Sequence, residues 1–135
     1  MELQHPRVML VDDDEVYLFA ATKTIEATGL AAKIDVCNNG LDAINFLNNQ
    51  LQNPSNLPEI IFIDLNMPIM DGWEFLEAYE LLQQKLPGKI KIYILSSSVD
   101  KNDIMRSKKY GSVIEYIVKP VFKAKFSEIL QNDKN

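Results

Sequence analysis

Four short apolar runs rich in valine and isoleucine, Arg7–Val11, Glu59–Asp64, Lys89–Ser96 and Val113–Lys119, alternate with segments of helical period, and that alternation limits the fold more than any other feature. Each run is short and apolar enough to be a strand buried on both faces. A fifth run, Lys33-Ile34-Asp35-Val36, alternates polar with apolar residues, as a half-exposed strand at a sheet edge does. Between the runs, apolar residues recur at helical spacing: Tyr17, Ala20, Ala21 and Ile25; Leu41, Ile44, Leu47 and Leu51; then Phe75, Leu76, Tyr79 and Leu82. A fourth helix is predicted over Lys101–Tyr110 with Gly111 just past its end, and a fifth carries Phe122, Phe126, Ile129 and Leu130. Parallel neighbours must be joined by crossovers, so five strands alternating with five helices predict a doubly wound α/β domain, its mostly parallel sheet covered on both faces. The stretches 52–58 and 86–88 read as loops, and the first of them carries no motif.

At 135 residues the chain has the length of one domain, so 1–135 is expected to act as a single unit with no output domain. No segment approaches the roughly 20 apolar residues of a membrane-spanning helix, and the opening MELQHPR lacks the layout of a signal peptide. The one cysteine, Cys37, cannot form an internal disulfide; it reads as a small buried hydrophobe and suits a reducing cytoplasm. A formal net charge of −5 argues against a nucleic-acid partner. The basic cluster Arg106, Lys108 and Lys109 reads as a solvated helix face.

In doubly wound sheets ligands sit outside the carboxyl ends of the strands. Asp12, Asp13 and Asp14 follow the first strand, Asp64 the third, Ser96 the fourth and Lys119 the fifth. Carboxylates gathered at one point need a cation to stay ionised, and an all-oxygen set such as Asp12, Asp13 and Asp64 suits magnesium. There is no histidine and cysteine cluster for zinc. The only histidine, His5, precedes the first strand and is badly placed to act as base for Ser96, which argues against a Ser/His/Asp hydrolase. A nucleophilic carboxylate passes that test, because phosphoryl transfer needs mainly positioning and charge stabilisation. Asp64 with Mg²⁺, Lys119 and Ser96 fills those roles.

The segments LVDDDE at 10–15, IDLNMPIMDG at 63–72, ILSSS at 94–98 and YIVKP at 116–120 resemble, in order and spacing, the CheY-like receiver domain of two-component response regulators. The resemblance spans nearly the whole chain, and its pieces are specific jointly rather than singly. It implies a flavodoxin-like sheet of strand order 2-1-3-4-5. It implies that Asp64 accepts a phosphoryl group from the phosphohistidine of a sensor histidine kinase or phosphotransfer protein. Asp13 and Asp64 would ligate Mg²⁺ directly, Asp12 mostly through water, and Asn66 through its backbone carbonyl. Lys119 would pair with the phosphoryl group, ahead of a cis Lys119–Pro120 bond. Ser96 and Tyr116 would be switch residues, and the face of helix four, strand five and helix five would carry the signal to a downstream protein target, with a phosphorylation-dependent homodimer left open. Pro68 and Gly72 shape the loop without chemistry.

Other readings stand beside this one. A receiver-like module that docks regardless of phosphorylation is the alternative, and the intact Asp13, Asp64, Ser96 and Lys119 set speaks against it. An FMN-binding protein would need a phosphate-cradling loop where this chain places three acids. A phosphatase with an aspartate nucleophile would carry it on the first strand, with a second acid two residues later. Asp14 either caps the first helix or repels an incoming phosphodonor, and Trp73 is either a partner contact or a loop anchor.

Overall fold

A computed structural model describes residues 4–133; the ends of the 1–135 unit and the start of MELQHPR lie outside the described residues. The elements in chain order are β1 (Arg7–Val11), α1 (Glu15–Thr28), β2 (Lys33–Cys37), α2 (Gly40–Asn49), β3 (Ile60–Ile63), α3 (Gly72–Gln83), β4 (Lys91–Ser96), α4 (Lys101–Ser107), β5 (Val113–Val118) and α5 (Lys123–Asn132), with a short 3₁₀ turn at Pro54–Asn56 in the 52–58 loop. The strands pair in parallel in the order β2-β1-β3-β4-β5, with β2 at an edge.

Because side chains alternate across a strand, each apolar run feeds both faces of the sheet. Met9, Val11, Ile61, Ile63, Ile92 and Ile94 meet α2 and α3 in one core. Val8, Leu10, Ile60, Phe62, Tyr93 and Leu95 meet α1 and α5 in the other. The second core is anchored by Phe62, whose ring stands edge-on to Phe126 at 5.2 Å. Among the described residues no helix is long and apolar enough to cross a membrane.

Several faces differ from those the sequence spacing predicts. In α1 the buried stripe is Leu18, Ala21 and Ile25, and Ala20 is exposed. In α2 Ala43, Ile44 and Leu47 turn inward, whereas Leu41 lies on the exposed side of the first turn. Phe122 is the N-cap of α5, ahead of its first turn, and stays 70% exposed. The α-helix predicted over Lys101–Tyr110 stops at Ser107. The amides of Lys108, Lys109 and Tyr110 donate to carbonyls three residues back, at 3.2, 3.1 and 3.2 Å, so the chain tightens into turns before Gly111.

Candidate functional site

Register places the acids side by side. Val11 of β1 pairs with Ile63 of β3, so the next residues, Asp12 and Asp64, leave the sheet together. The Asp64 amide donates to the Val11 carbonyl at 2.9 Å and the Asp12 amide to the Cys37 carbonyl at 3.1 Å. On β4, next to β3, Ser96 pairs with Val118 of β5, and the Lys119 amide donates to the Ser96 carbonyl at 2.8 Å. Lys119 therefore emerges beside the acids, and the Lys119–Pro120 peptide is cis.

Asp12, Asp13 and Asp64 each offer a carboxylate oxygen within 4.8 Å of the others, a group that does not include His5. Lys119 Nζ donates to Asp12 Oδ2 at 2.7 Å and stands 3.7 Å from Asp64 Oδ2. Asp12 is only 3% exposed, and its second oxygen accepts the Asp14 amide at 2.9 Å. Asp64 Oδ1 accepts the Leu65 amide at 2.8 Å, while Asp13 is exposed. Burial holds the Asp64 carboxyl above the usual carboxylate range; Lys119 pulls it down, and Asp12 and Asp13 push it up. Raised proton affinity in a carboxylate goes with greater nucleophilicity, and an oxygen-only donor set of three acids suits a hard divalent cation. The acids present thus fit magnesium.

Local sequence explains why Asp64 stays put. The Gly72 amide donates to the Leu65 carbonyl at 2.9 Å, and a Cβ at Gly72 would lie 2.5 Å from the Asp64 carbonyl oxygen. The start of α3 can lie this close to Asp64 only because residue 72 has no side chain. A capping box of Asp71 and Glu74 closes the same end of α3. Between them, Pro68 and Asn66 are exposed, and the Met70 amide closes a three-residue turn on the Pro68 carbonyl at 2.7 Å. Ile69, at its centre, has φ +69°, a conformation that a β-branched residue adopts only when its surroundings enforce it. Nothing in the residue types of that loop signals this.

Ser96 is fully buried, and its hydroxyl accepts the Ser98 amide at 3.1 Å. Tyr116 is half-buried, its hydroxyl donating to the Ser98 carbonyl at 2.9 Å. Ser98 in turn donates to Asp103 of α4 at 2.7 Å, so hydrogen bonds link Ser96, Tyr116 and α4 through one loop. Asp14 caps α1, accepting the Val16 and Tyr17 amides at 3.0 and 3.1 Å. The Trp73 ring stacks on Tyr110, in the turn after α4, at 6.1 Å and lies under the Arg106 guanidinium at 4.3 Å. Arg106 accordingly does more than solvate a helix face. Sequence spacing also made Tyr17 a plain core residue, whereas its ring lies 4.1 Å from Lys119 Nζ. Burial and the neighbouring Asp12 and Asp64 charges push the Tyr17 phenol up to about 12.

A parallel α/β sheet of this strand order thus carries clustered acids and a lysine together at its carboxyl edge. Residues 8–131 match the model of the response regulator receiver domain, and the chain belongs to that family. It is similar to a solved two-component response regulator from Cytophaga hutchinsonii, with 29% identity, 98% of this chain and 99% of that one covered, and a TM-score of 0.82. It is 24% identical over 115 residues to the probable methanogenesis regulatory protein FilR2 of Methanothrix harundinacea, covering 84% of this chain and 72% of the relative. It is 29% identical over 113 residues to the sensor histidine kinase CheAY of Helicobacter pylori, covering 84% of this chain and only 13% of that much longer protein. Receiver domains are phosphoacceptors in two-component signalling, not enzymes in the ordinary sense. They interact with histidine kinases or phosphotransfer proteins, and they bind Mg²⁺ at an acidic pocket of the kind formed by Asp12, Asp13 and Asp64.

Proposed function

We propose that the chain acts as a response regulator receiver whose phosphoacceptor is Asp64. The observation that carries this reading is the cluster itself: three carboxylates within 4.8 Å, bridged by an ammonium 2.7 Å from Asp12 and 3.7 Å from Asp64. A carboxylate oxygen of Asp64 attacks the phosphorus of a phosphohistidine; the O–P bond forms, the N–P bond breaks, and the imidazole nitrogen takes a proton. Asp13 and Asp64, with the Asn66 carbonyl, would hold Mg²⁺, and Asp12 would act through water, since both its oxygens already accept hydrogen bonds. Bound there, the ion supplies charge neutralisation for the phosphoryl oxygens. Lys119 adds a compact positive charge on the other side, at the junction with Pro120, and Pro68 and Gly72 shape the loop that holds Asp64.

The Ser96 hydroxyl moves to a phosphoryl oxygen and Tyr116 follows, which shifts the population of the β4–α4 loop and α4. The readout surface is then α4, β5 and α5, and the receiver works in a reducing cytoplasm. Intact mass after incubation with Mg²⁺ and acetyl phosphate tests this: one phosphoryl group is expected on the wild type and none on Asp64→Asn. If neither gains mass while Mg²⁺ binds, a docking module indifferent to phosphorylation replaces this reading.

A further inference from the structure

Tyr17, in the first turn of α1, presents its ring to the acid site, with Lys119 Nζ 4.1 Å from the ring centroid. The ammonium has three donors: one is given to Asp12 Oδ2 at 2.7 Å, another faces Asp64 Oδ2 at 3.7 Å, and the ring takes the remaining side. The face of an aromatic ring is negative and attracts a cation, more strongly where water is excluded; the Lys119 side chain is only 18% exposed. The cap holds the backbone from which the ring projects, because Asp14 accepts the amide of Tyr17 itself at 3.1 Å. The Tyr17 hydroxyl is shut off from solvent and has no hydrogen-bond partner among the described residues. The side chain lines a narrow crevice together with Asp12, Phe62, Asp64 and Leu95. Burying a hydroxyl unpaired is costly, so a site that keeps one calls for a reason.

We propose that Tyr17 is a positioning residue of the phosphoryl site: its ring holds the Lys119 ammonium between Asp12 and Asp64. This rests on Asp64 being the phosphoacceptor. A lysine carries a flexible four-carbon stem whose freedom must be lost before the ammonium can meet a phosphoryl oxygen. With the ring beneath it, much of that loss has been taken in the resting protein. When negative charge builds on Asp64, the ammonium turns from Asp12 toward it without leaving the ring.

The test compares wild type, Tyr17→Phe and Tyr17→Leu in two measurements, with thermal melts to show that each is folded. One is the NMR shift of the Lys119 ε-methylene protons without metal or phosphodonor; the other is the rate of phosphoryl uptake from acetyl phosphate with Mg²⁺, read by intact mass. The ring-current shift is expected to persist in Tyr17→Phe and vanish in Tyr17→Leu. Uptake is expected to stay close to the wild-type rate in Tyr17→Phe, which keeps the ring, and to slow about tenfold in Tyr17→Leu. Where leucine disturbs the packing of α1, Tyr17→Met, pliant and without a ring, replaces it. A ringless variant that keeps the wild-type rate overturns the proposal, and so does a lysine signal that stays in place without the ring. If the wild type takes up no phosphate, the phosphoacceptor reading fails and the proposal falls with it; the ring-current comparison tells that failure apart from an unheld lysine.

Discussion

Asp64→Asn should stabilise the metal-free protein at neutral pH even though it deprives Lys119 of a partner. Lys119 Nζ at 3.7 Å attracts the Asp64 carboxylate by roughly 4.5 kcal/mol at an effective dielectric of about 20. The Asp12 carboxylate, within 4.8 Å, repels it by roughly 3.5 kcal/mol on the same scale. The two nearly cancel, so the sign falls to burial and to Asp13, which oppose the charge and together outweigh the Leu65 amide that supports it. The Asp64 side chain is 13% exposed, and removing a carboxylate from water costs several kcal/mol, which leaves a net penalty of ~1–2 kcal/mol. The pH dependence follows. The folded-state pKa of Asp64 lies above its ordinary value of 3.8, so between the two the folded protein holds the extra proton, and wild-type stability rises as pH falls through the folded pKa. The advantage of Asn is therefore complete near pH 7, shrinks through that window and is gone below the ordinary value. Thermal melts in EDTA from about pH 8 to 4 should show Asp64→Asn melting about 3–8 °C higher at neutrality. Mg²⁺ at about 100 times its Kd should return ~2.7 kcal/mol to the wild type and less to the variant. A neutral-pH melting point no higher than wild type, or an advantage that grows on acidification, would refute the balance of terms.

Gly72→Ala should cost about 1–3 kcal/mol in urea denaturation because its Cβ meets fixed backbone, 2.5 Å from the Asp64 carbonyl oxygen, whereas Gly88→Ala and Gly111→Ala, with nothing within 4 Å, should be near neutral. Cys37, buried and with its thiol pushed up to about 11 by burial and by Asp42 and Asp35, should react with a disulfide reagent at pH 8 far more slowly in the native protein than in urea. Arg106→Ala should uncover the Trp73 ring that the guanidinium overlies at 4.3 Å, red-shifting its emission and raising acrylamide quenching, with a stability loss of about 0.5–1 kcal/mol.

The strands and the acid site were legible because both write themselves in residue types at strand ends. Val8–Val11 and Ile60–Ile63 are apolar throughout, so no choice of face had to be made, and the residue that follows each run was fixed by where the apolar residues stop. Helix faces were less legible: Ala20 and Ala21 are equally apolar, and only packing against α5 and the sheet selects Ala21 over Ala20 and brings in Leu18. Phe122 misled because an aromatic at an N-cap position looks like the first member of the stripe behind it. Tyr17 and the Trp73–Arg106 stack could not be read, since each depends on a partner far along the chain, Lys119 in one case and α4 in the other. A cation and an aromatic in one sequence do not say that they meet. The strain at Ile69 was hidden for a related reason, because it is imposed by what the loop is tied to.

The three successive acids after β1 show how little sequence adjacency says about role. Asp14 is turned away to hold the Val16 and Tyr17 amides, Asp12 is buried and bound to Lys119, and Asp13 is exposed yet still reaches the other two acids. The charge gathered at the site is therefore that of Asp12, Asp13 and Asp64, partly offset by one ammonium. The excess is two negative charges, which a divalent cation balances and a monovalent one does not. A phosphoryl group would bring the excess back; Lys119, on the ring of Tyr17, is in place to answer it, and a divalent cation held by the acids would share that task. On this view the capping role of Asp14 and the chemistry of its neighbours are one arrangement, because the cap that removes Asp14 from the acid cluster also holds the backbone of Tyr17, whose ring lies against the lysine.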